Sequence, residues 1–154
     1  MSGDRLSIPQ DSDYFQAVGL AIVAFARLEW GAVWCCERLE TGYIYTIEPR
    51  KKTAGTIAAD LKRLFSRIAD PRLQSKIIPF ANEFLSVVDA RNSLLHGKPG
   101  TACNGDQRLF RHGDEWSINK VNEFSDRCAL LCANLNELLH DEFKAPCSTM
   151  LHQV

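Results

Sequence analysis

Residues 124–138 read FSDRCALLCANLNEL, and the spacing of the apolar residues in this stretch decides the fold class. Apolar side chains recur at intervals of 4, 3, 4 and 3, at Phe124, Cys128, Leu131, Leu135 and Leu138. This spacing places an apolar stripe along a helix that packs lengthwise against another helix. The stretch therefore predicts a long final helix in a mainly helical protein.

A first helix of similar length is predicted near the N-terminus. It starts at Ser12, where flanking aspartates complement the helix dipole, and continues to about Leu39, before Thr41-Gly42 ends it. Apolar residues recur along it at helical intervals. The predicted core stripe consists of Phe15, Val18, Ile22, Phe25, Leu28, Val33 and Leu39.

Two more helices are predicted between these. The second covers about residues 53–68. The third opens at Asp70-Pro71, because an aspartate cap followed by proline at the first helical position is a typical helix start, and it ends at about Leu95. Pro79 lies inside it and is expected to bend or split the helix. The β-prone stretch YIYTI at 43–47 is expected to be a short connector.

Residues 98–118 differ from the rest, since they are rich in glycine, asparagine and aspartate and contain QRLFR followed by the turn sequence HGDE. They predict a small hairpin or an ordered loop. We therefore expect an all-α protein, an up-and-down bundle of four to five helices with a β-hairpin-like insert near residues 107–118. We expect a single domain over residues 1–154, with its core at about 12–143.

The amino-acid composition favours a globular protein over a membrane protein or a zinc ribbon. The 154 residues are 45% apolar and 24% charged, which is typical of a globular domain. The longest nearly uncharged run, residues 17–26, is too short to span a bilayer. The six cysteines include no CxxC pair, so a zinc ribbon is not expected. We expect a cytoplasmic protein without a membrane segment.

Charge is unevenly distributed along a chain whose net charge is −1. Residues 50–76 carry eight basic and two acidic side chains, beginning with Arg50, Lys51 and Lys52. This stretch either forms a local positive surface for phosphate groups or is a solvated face paired with the acidic ends of the chain. Strong nonspecific binding of nucleic acid is not expected from the overall charge.

The candidate site lies in the stretch ARNSLLHGKPG at residues 90–100. Gly97 ends the third helix, so His96 lies in its last turn, where the helix dipole favours the protonated imidazole. Arginine holds phosphate through its planar fork, and histidine is a common general acid or base. Five residues turn about 140° around a helix, so Arg91 and His96 either flank a groove or face a second copy of the chain. Alternatively, His96 only solvates a helix end.

The segment ARNSLLHG, with Asn92 beside Arg91 and His96 four residues further on, resembles the R-x4-6-H motif of the HEPN domain family. The similarity extends over about residues 12–143 and includes the helical layout, FARLEW at 25–30, the insert and the long final helix. It implies a helical bundle that forms a homodimer with two motif copies facing each other. Many members are metal-independent ribonucleases of toxin–antitoxin and defence systems, whereas others only bind nucleotides or partner proteins.

The resemblance implies a role for each motif residue. Arg91 would bind and polarise the scissile phosphate, His96 would act as acid or base on the ribose 2′-OH and the leaving oxygen, and Asn92 would orient the arginine or the substrate. The product would carry a 2′,3′-cyclic phosphate, and no metal or cofactor is implied. Glu29, which lies in an otherwise apolar stretch, is expected to face inward and orient Arg91.

The remaining expectations concern partners. RNA is the expected substrate, and its backbone is expected to contact four basic residues, Lys98, Arg50, Lys51 and Lys52. A second copy of the chain and a possible antitoxin protein are the expected protein partners. The alternative function is a non-catalytic HEPN-like module that binds nucleotides or another protein.

Overall fold

The computed structural model describes Ile8, residues 11–144 and residues 150–151. This part of the chain is mostly helical, as the sequence predicts, and it contains four α-helices, a 3-10 helix and a small antiparallel sheet. The helices are α1 (Ser12–Leu39), α2 (Ala54–Phe65), α3 (Pro71–Leu95) and α4 (Ile118–His140), with the 3-10 helix at Tyr43–Thr46. The strands are β1 (Lys98–Thr101), β2 (Gln107–Arg111) and β3 (Asp114–Trp116).

Side-chain caps explain where the helices begin. Asp11 accepts a hydrogen bond from the backbone N–H of Tyr14 at 3.0 Å, and Asp70 accepts one from the N–H of Arg72 at 2.9 Å. These bonds satisfy N–H groups that have no partner inside the helix. The caps of α1 and α3 therefore confirm the start signals in the sequence.

Pro79 does not split α3, which is continuous from Pro71 to Leu95. Proline removes one backbone hydrogen bond and crowds the preceding turn. Here Ile77 and Ala81, on either side of it, are both fully buried in the core. We infer that packing of both halves against the rest of the protein outweighs the local cost.

Helix α4 buries the predicted stripe, since none of its five residues is more than 3% exposed. The prediction of the buried stripe of α1 is partly wrong. Phe15 and Ile22 are 45% and 48% exposed, and the small residues Ala17 and Ala21 are buried instead. Small side chains let α1 approach α4 closely, and α1 packs most extensively against that helix.

Helix α1 therefore has two apolar faces, and the other described parts of the chain cover one of them. The uncovered side carries large exposed hydrophobic residues, namely Phe15, Leu20, Ile22, Val23, Trp30 and Trp34. By length and composition alone α1 could cross a membrane, and 33% of its most apolar 18-residue window is buried in the fold. Core helices of soluble proteins and signal sequences meet the same criterion.

The insert is a three-stranded antiparallel sheet in the order β1-β2-β3, rather than a hairpin alone. Arg108 fastens it to the start of α1, because its buried guanidinium group contacts Asp11 at 2.7 Å and lies 4.6 Å from the centre of the Tyr14 ring. The Tyr14 hydroxyl donates to the carbonyl of Trp116 at 2.9 Å. These contacts hold the sheet against the start of α1.

Candidate functional site

Arg91 lies in the last turns of α3 on a fixed aromatic platform. Its guanidinium carbon is 5.3 Å from the centre of the Phe25 ring on α1, and its Nη1 donates to Oδ1 of Asn92 at 3.0 Å. Phe25 is held in turn by Phe84 and Phe124, with ring centres 6.4 and 6.5 Å away. Two sequence-predicted residues, Arg91 and Asn92, are thus brought together with a defined orientation.

The positive charge of Arg91 has no carboxylate partner in the described part of the chain. Glu29 is half-buried nearby, but it forms no ion pair there either. Burial raises the pKa of Glu29, and the positive charge of Arg91 opposes this shift. Asn92, rather than Glu29, therefore makes the contact that orients the guanidinium group, and the remaining donors of Arg91 are available to an anion.

A small cleft of about 130 Å³ lies between α1, α3 and α4, and Arg91 forms part of its wall. Arg91 and Glu29 are the charged residues of its wall, which is otherwise apolar. The wall consists of Ala21, Ile22, Phe25, Ala26, Glu29, Arg91, Leu94, Leu95 and Phe124. An anion that enters here meets the guanidinium group of Arg91 and the carboxyl group of Glu29 in otherwise apolar surroundings, where charge interactions are stronger than in water.

His96 lies at the C-terminal end of α3 but is not part of the cleft wall. It is exposed, and its backbone N–H donates to the carbonyl of Asn92 at 3.0 Å. Its own carbonyl accepts from Arg111 at 3.3 Å. The imidazole makes no hydrogen bond to any residue that the structure describes. Within one chain, the structure leaves His96 solvent-facing and outside the Arg91 cleft.

Gly97 fixes how the chain leaves α3 after His96. A Cβ atom at this position would lie 2.9 Å from Cβ of Leu109 and 3.1 Å from the carbonyl oxygen of Leu94. Only glycine allows strand β2 to pack so closely against the end of the helix. The backbone around His96 is therefore set by the sheet as well as by α3.

Lys52 is buried in an ion pair, whereas the predicted substrate-binding role requires an accessible ammonium group. Its side chain is only 6% exposed, and its ammonium group lies 2.8 Å from Oδ2 of Asp60 and 3.8 Å from the centre of the Tyr43 ring. Burial would raise the pKa of Asp60, but hydrogen bonds from Lys52 and Tyr43 outweigh it and lower the pKa. Lys52 therefore joins the loop after α1 to α2, which corrects the sequence-based assignment.

The other predicted RNA-binding residues are exposed but are not gathered at the cleft. Arg50 and Lys51 follow the 3-10 helix beyond the C-terminal end of α1. Leu39 is fourteen residues past Phe25, which corresponds to about 21 Å along a helix. Lys98 is two residues from His96, at the start of β1, and is the one basic candidate beside the motif.

Three of the cysteines behave as core residues. Cys35, Cys36 and Cys128 are fully buried, and burial raises the pKa of Cys128 to about 12. A thiol with such a pKa is neither a ready nucleophile nor a ready metal ligand. In the described ranges there is also no cluster of three or more histidine, cysteine or acidic residues that could hold a metal ion.

One group of candidate residues is missed by the sequence reasoning. Trp34, Arg38, Leu139, His140 and Lys144 line a separate cavity of about 200 Å³ at the C-terminal ends of α1 and α4. The available signal was the spacing of Trp34 and Arg38, four residues apart on one helix face. His140 and Lys144 meet them only through the packing of α4 on α1.

Comparison of the chain with protein-family models, with curated proteins and with solved structures finds no match in any of the three. The expected similarity to the HEPN family is therefore carried by the Arg91–His96 motif and the helical layout alone.

Proposed function

We propose that the protein is a metal-independent endoribonuclease of HEPN type that uses Arg91 and His96. The observation that carries the proposal is that Arg91 is oriented by a neighbour but forms no ion pair with a described residue. A guanidinium group oriented by Asn92, with no carboxylate partner among the described residues, opens into a cleft near an exposed histidine. Arginine in this state is suited to bind a phosphodiester and to stabilise the charge that develops on it.

The proposed reaction needs no water and no metal ion. The His96 imidazole accepts the proton of the ribose 2′-OH, and the 2′-oxygen attacks the adjacent phosphorus. The bond from phosphorus to the 5′-oxygen breaks, and the leaving oxygen takes a proton from imidazolium. The products are a 2′,3′-cyclic phosphate and a free 5′-OH, while Arg91 stabilises the charged transition state.

The catalytic proposal requires two copies of the chain. The Arg91 cleft of one copy does not include its own His96. Ile22 and Leu95, which line this cleft, are 48% and 43% exposed, so an apolar surface surrounds it. A symmetric partner docked on this surface would bring its own His96 to the cleft, and the symmetry would create two equivalent sites.

The proposal includes the wider features of the family. The four helices would form an up-and-down bundle of HEPN type, and the enzyme would act in the cytoplasm as a toxin or a defence ribonuclease. A possible antitoxin would act by covering the motif. Lys98, which is exposed beside His96, would contact the RNA backbone next to the scissile phosphate.

One observation favours the alternative function, a non-catalytic HEPN-like module for nucleotide or protein binding. His96 lies outside the Arg91 cleft of its own chain, as expected of a residue that only caps a helix. The two functions differ in one respect that can be measured, because only the ribonuclease requires the imidazole of His96.

Incubation of purified protein with a mixed RNA pool in EDTA tests the proposal. Wild type is expected to produce cyclic-phosphate ends, and Arg91→Ala and His96→Ala are each expected to reduce the rate by about 10²–10⁴-fold. His112→Asn is the matched control, since His112 is exposed in a turn with φ 51°, a conformation that asparagine tolerates. Equal cleavage by all four proteins, or none by wild type, would refute the ribonuclease.

A further inference from the structure

The separate cavity at the C-terminal ends of α1 and α4 has the composition of an anion site. Arg38, His140 and Lys144 contribute basic groups to its wall, and none of the described residues that line it is acidic. In the described part of the chain, none of the three forms an ion pair. The cavity therefore brings together basic groups that form no ion pair with a described carboxylate.

Arg38 provides the observation that points to a ligand. Its Nε is buried and has no hydrogen-bond partner. Leaving a buried donor of a charged group unsatisfied costs free energy, so such groups normally have an acceptor. Arg38 also lines the open cavity, so a small movement of its side chain would bring the guanidinium group to an anionic oxygen there and give Nε an acceptor, and phosphate matches the planar fork of this group.

Trp34 gives the cavity an aromatic wall. The indole is 40% exposed and packs edge-on against Trp30, with ring centres 6.3 Å apart. Exposed aromatic rings beside basic groups stack the bases of single-stranded nucleic acids, whereas the basic groups track the backbone. A ligand that carries both a phosphate and an aromatic base is a nucleotide.

We propose that this cavity binds a nucleotide of an RNA strand, with its phosphate on Arg38 and Lys144 and its base against Trp34. The proposal rests on the proposed function for the identity of the strand. The nucleotide chemistry itself rests on the cavity, because a free mononucleotide carries the same two groups. Binding at this place does not require catalysis.

A groove connects the cavity to the Arg91 cleft. It has a volume of about 580 Å³, runs along the uncovered face of α1, and shares Trp34 with the cavity and Ile22 and Ala26 with the cleft. Ile22 and Trp34 are twelve residues apart, which is about 18 Å along a helix, or about five stacked nucleotides at 3.4 Å each. One short strand that leaves the Arg91 cleft at the edge of the docked partner copy could therefore reach the cavity, which would hold it at a distance from the scissile bond.

The test measures binding with His96→Ala protein, so that RNA is bound without being cut. A labelled six-nucleotide RNA is titrated by anisotropy, and AMP and inorganic phosphate are titrated by tryptophan fluorescence. Arg38→Gln is expected to weaken RNA binding about tenfold and to reduce the salt slope by about one. Trp34→Leu is expected to weaken it at least fivefold, as loss of one stacked base predicts, and to remove the fluorescence change.

Two control variants and a second cationic variant show whether a change in binding is specific to the cavity. Lys62→Gln and Tyr45→Leu change exposed residues of the same types on other surfaces and are expected to bind like the parent. Lys144→Gln alters a side chain beyond the end of α4, so its effect does not depend on helix packing. Circular dichroism of each variant confirms folding before binding is interpreted.

The two sources of the nucleotide give different results. Cavity-dependent binding of RNA assigns the site to a strand, and cavity-dependent binding of AMP alone assigns it to free nucleotide. If the Arg38→Gln and Trp34→Leu variants bind RNA and AMP as tightly as the two control variants do, the inference is overturned. If the cavity variants lose binding while wild type cleaves no RNA, the nucleotide site stands and the proposed ribonuclease fails.

Discussion

Arg91 donates a hydrogen bond from Nη1 to Oδ1 of Asn92, its neighbour in sequence, at 3.0 Å. Adjacent residues on a helix point in different directions, so this contact fixes the guanidinium group in an unusual, lateral orientation. The neutral amide orients the arginine without neutralising its charge. An aspartate at the same place would occupy the donors that a phosphate requires.

Asn92→Ala is expected to lower kcat/KM for RNA cleavage about tenfold, because a hydrogen bond to a charged group contributes about 1.5–3 kcal/mol. Asn92→Asp is expected to lower it further, since the new carboxylate competes with substrate for Arg91. Single-turnover cleavage of a short RNA measures both. Asn122→Ala, on the exposed side of α4, is the control, and unchanged rates in all three variants would show that Asn92 does not orient Arg91.

Ile22→Glu is expected to separate the proposed dimer and to abolish cleavage, because it places a charge on the apolar surface around the Arg91 cleft. Size-exclusion chromatography with light scattering measures the mass. Leu130→Glu is the matched control, since Leu130 on α4 is 67% exposed on its own chain. A wild-type monomer that cleaves RNA, or a dimer that persists with Glu at position 22, would contradict the composite site.

Lys52→Met is expected to lower the free energy of unfolding by about 2 kcal/mol, because it leaves the Asp60 carboxylate without its ammonium partner. Its cleavage rate per folded molecule is expected to equal that of wild type. Denaturant unfolding and a cleavage assay measure the two quantities. Lys51→Met, an exposed neighbour, should preserve stability. A selective loss of RNA binding in Lys52→Met would restore the assignment made from the sequence.

Glu29 is expected to reduce the stability of the fold as pH rises. Burial raises its pKa above 4.5, so the folded protein keeps this proton at pH values where the unfolded chain has lost it. Its contribution to the free energy of unfolding is therefore most favourable below about pH 4.5 and falls as pH rises through the folded pKa.

The variant Glu29→Gln removes this ionisation and keeps the shape of the side chain. Its Tm is expected to exceed that of wild type at neutral pH, and the difference is expected to disappear in acid below the unfolded pKa. Glu123→Gln, at an exposed position of α4, should show no such pH-dependent difference. A lower Tm for Glu29→Gln at neutral pH would mean that Arg91 stabilises the ionised carboxylate.

Much of the helical framework follows from local signals. Asp70 before Pro71 marks the start of α3, and the stripe from Phe124 to Leu138 marks the buried face of α4. A cap or a stripe of this kind depends on residues within one or two turns. Pro79 does not split the helix, one of the two outcomes that the sequence allowed, because the buried neighbours that keep α3 continuous come from the tertiary structure.

The site could be predicted only in part, because its geometry depends on contacts between distant residues. Asn92 follows Arg91 in the sequence, but the Phe25 platform comes from another helix. Helix α1 is apolar on two sides, so periodicity alone could not select the side that faces the core. Lys52 lies in a basic run, and only folding reveals that Asp60 is its partner.

RNA cleavage in EDTA by a mixture of Arg91→Ala and His96→Ala chains, co-expressed so that they can pair, tests whether the two copies of the chain share one active site. Each variant alone is expected to be inactive. In a mixed dimer, one site retains Arg91 from one chain and His96 from the other, so about one quarter of wild-type activity should return for random pairing in a two-fold dimer. No recovery from the mixture, while wild type remains active, would contradict a site composed of Arg91 and His96 across an interface.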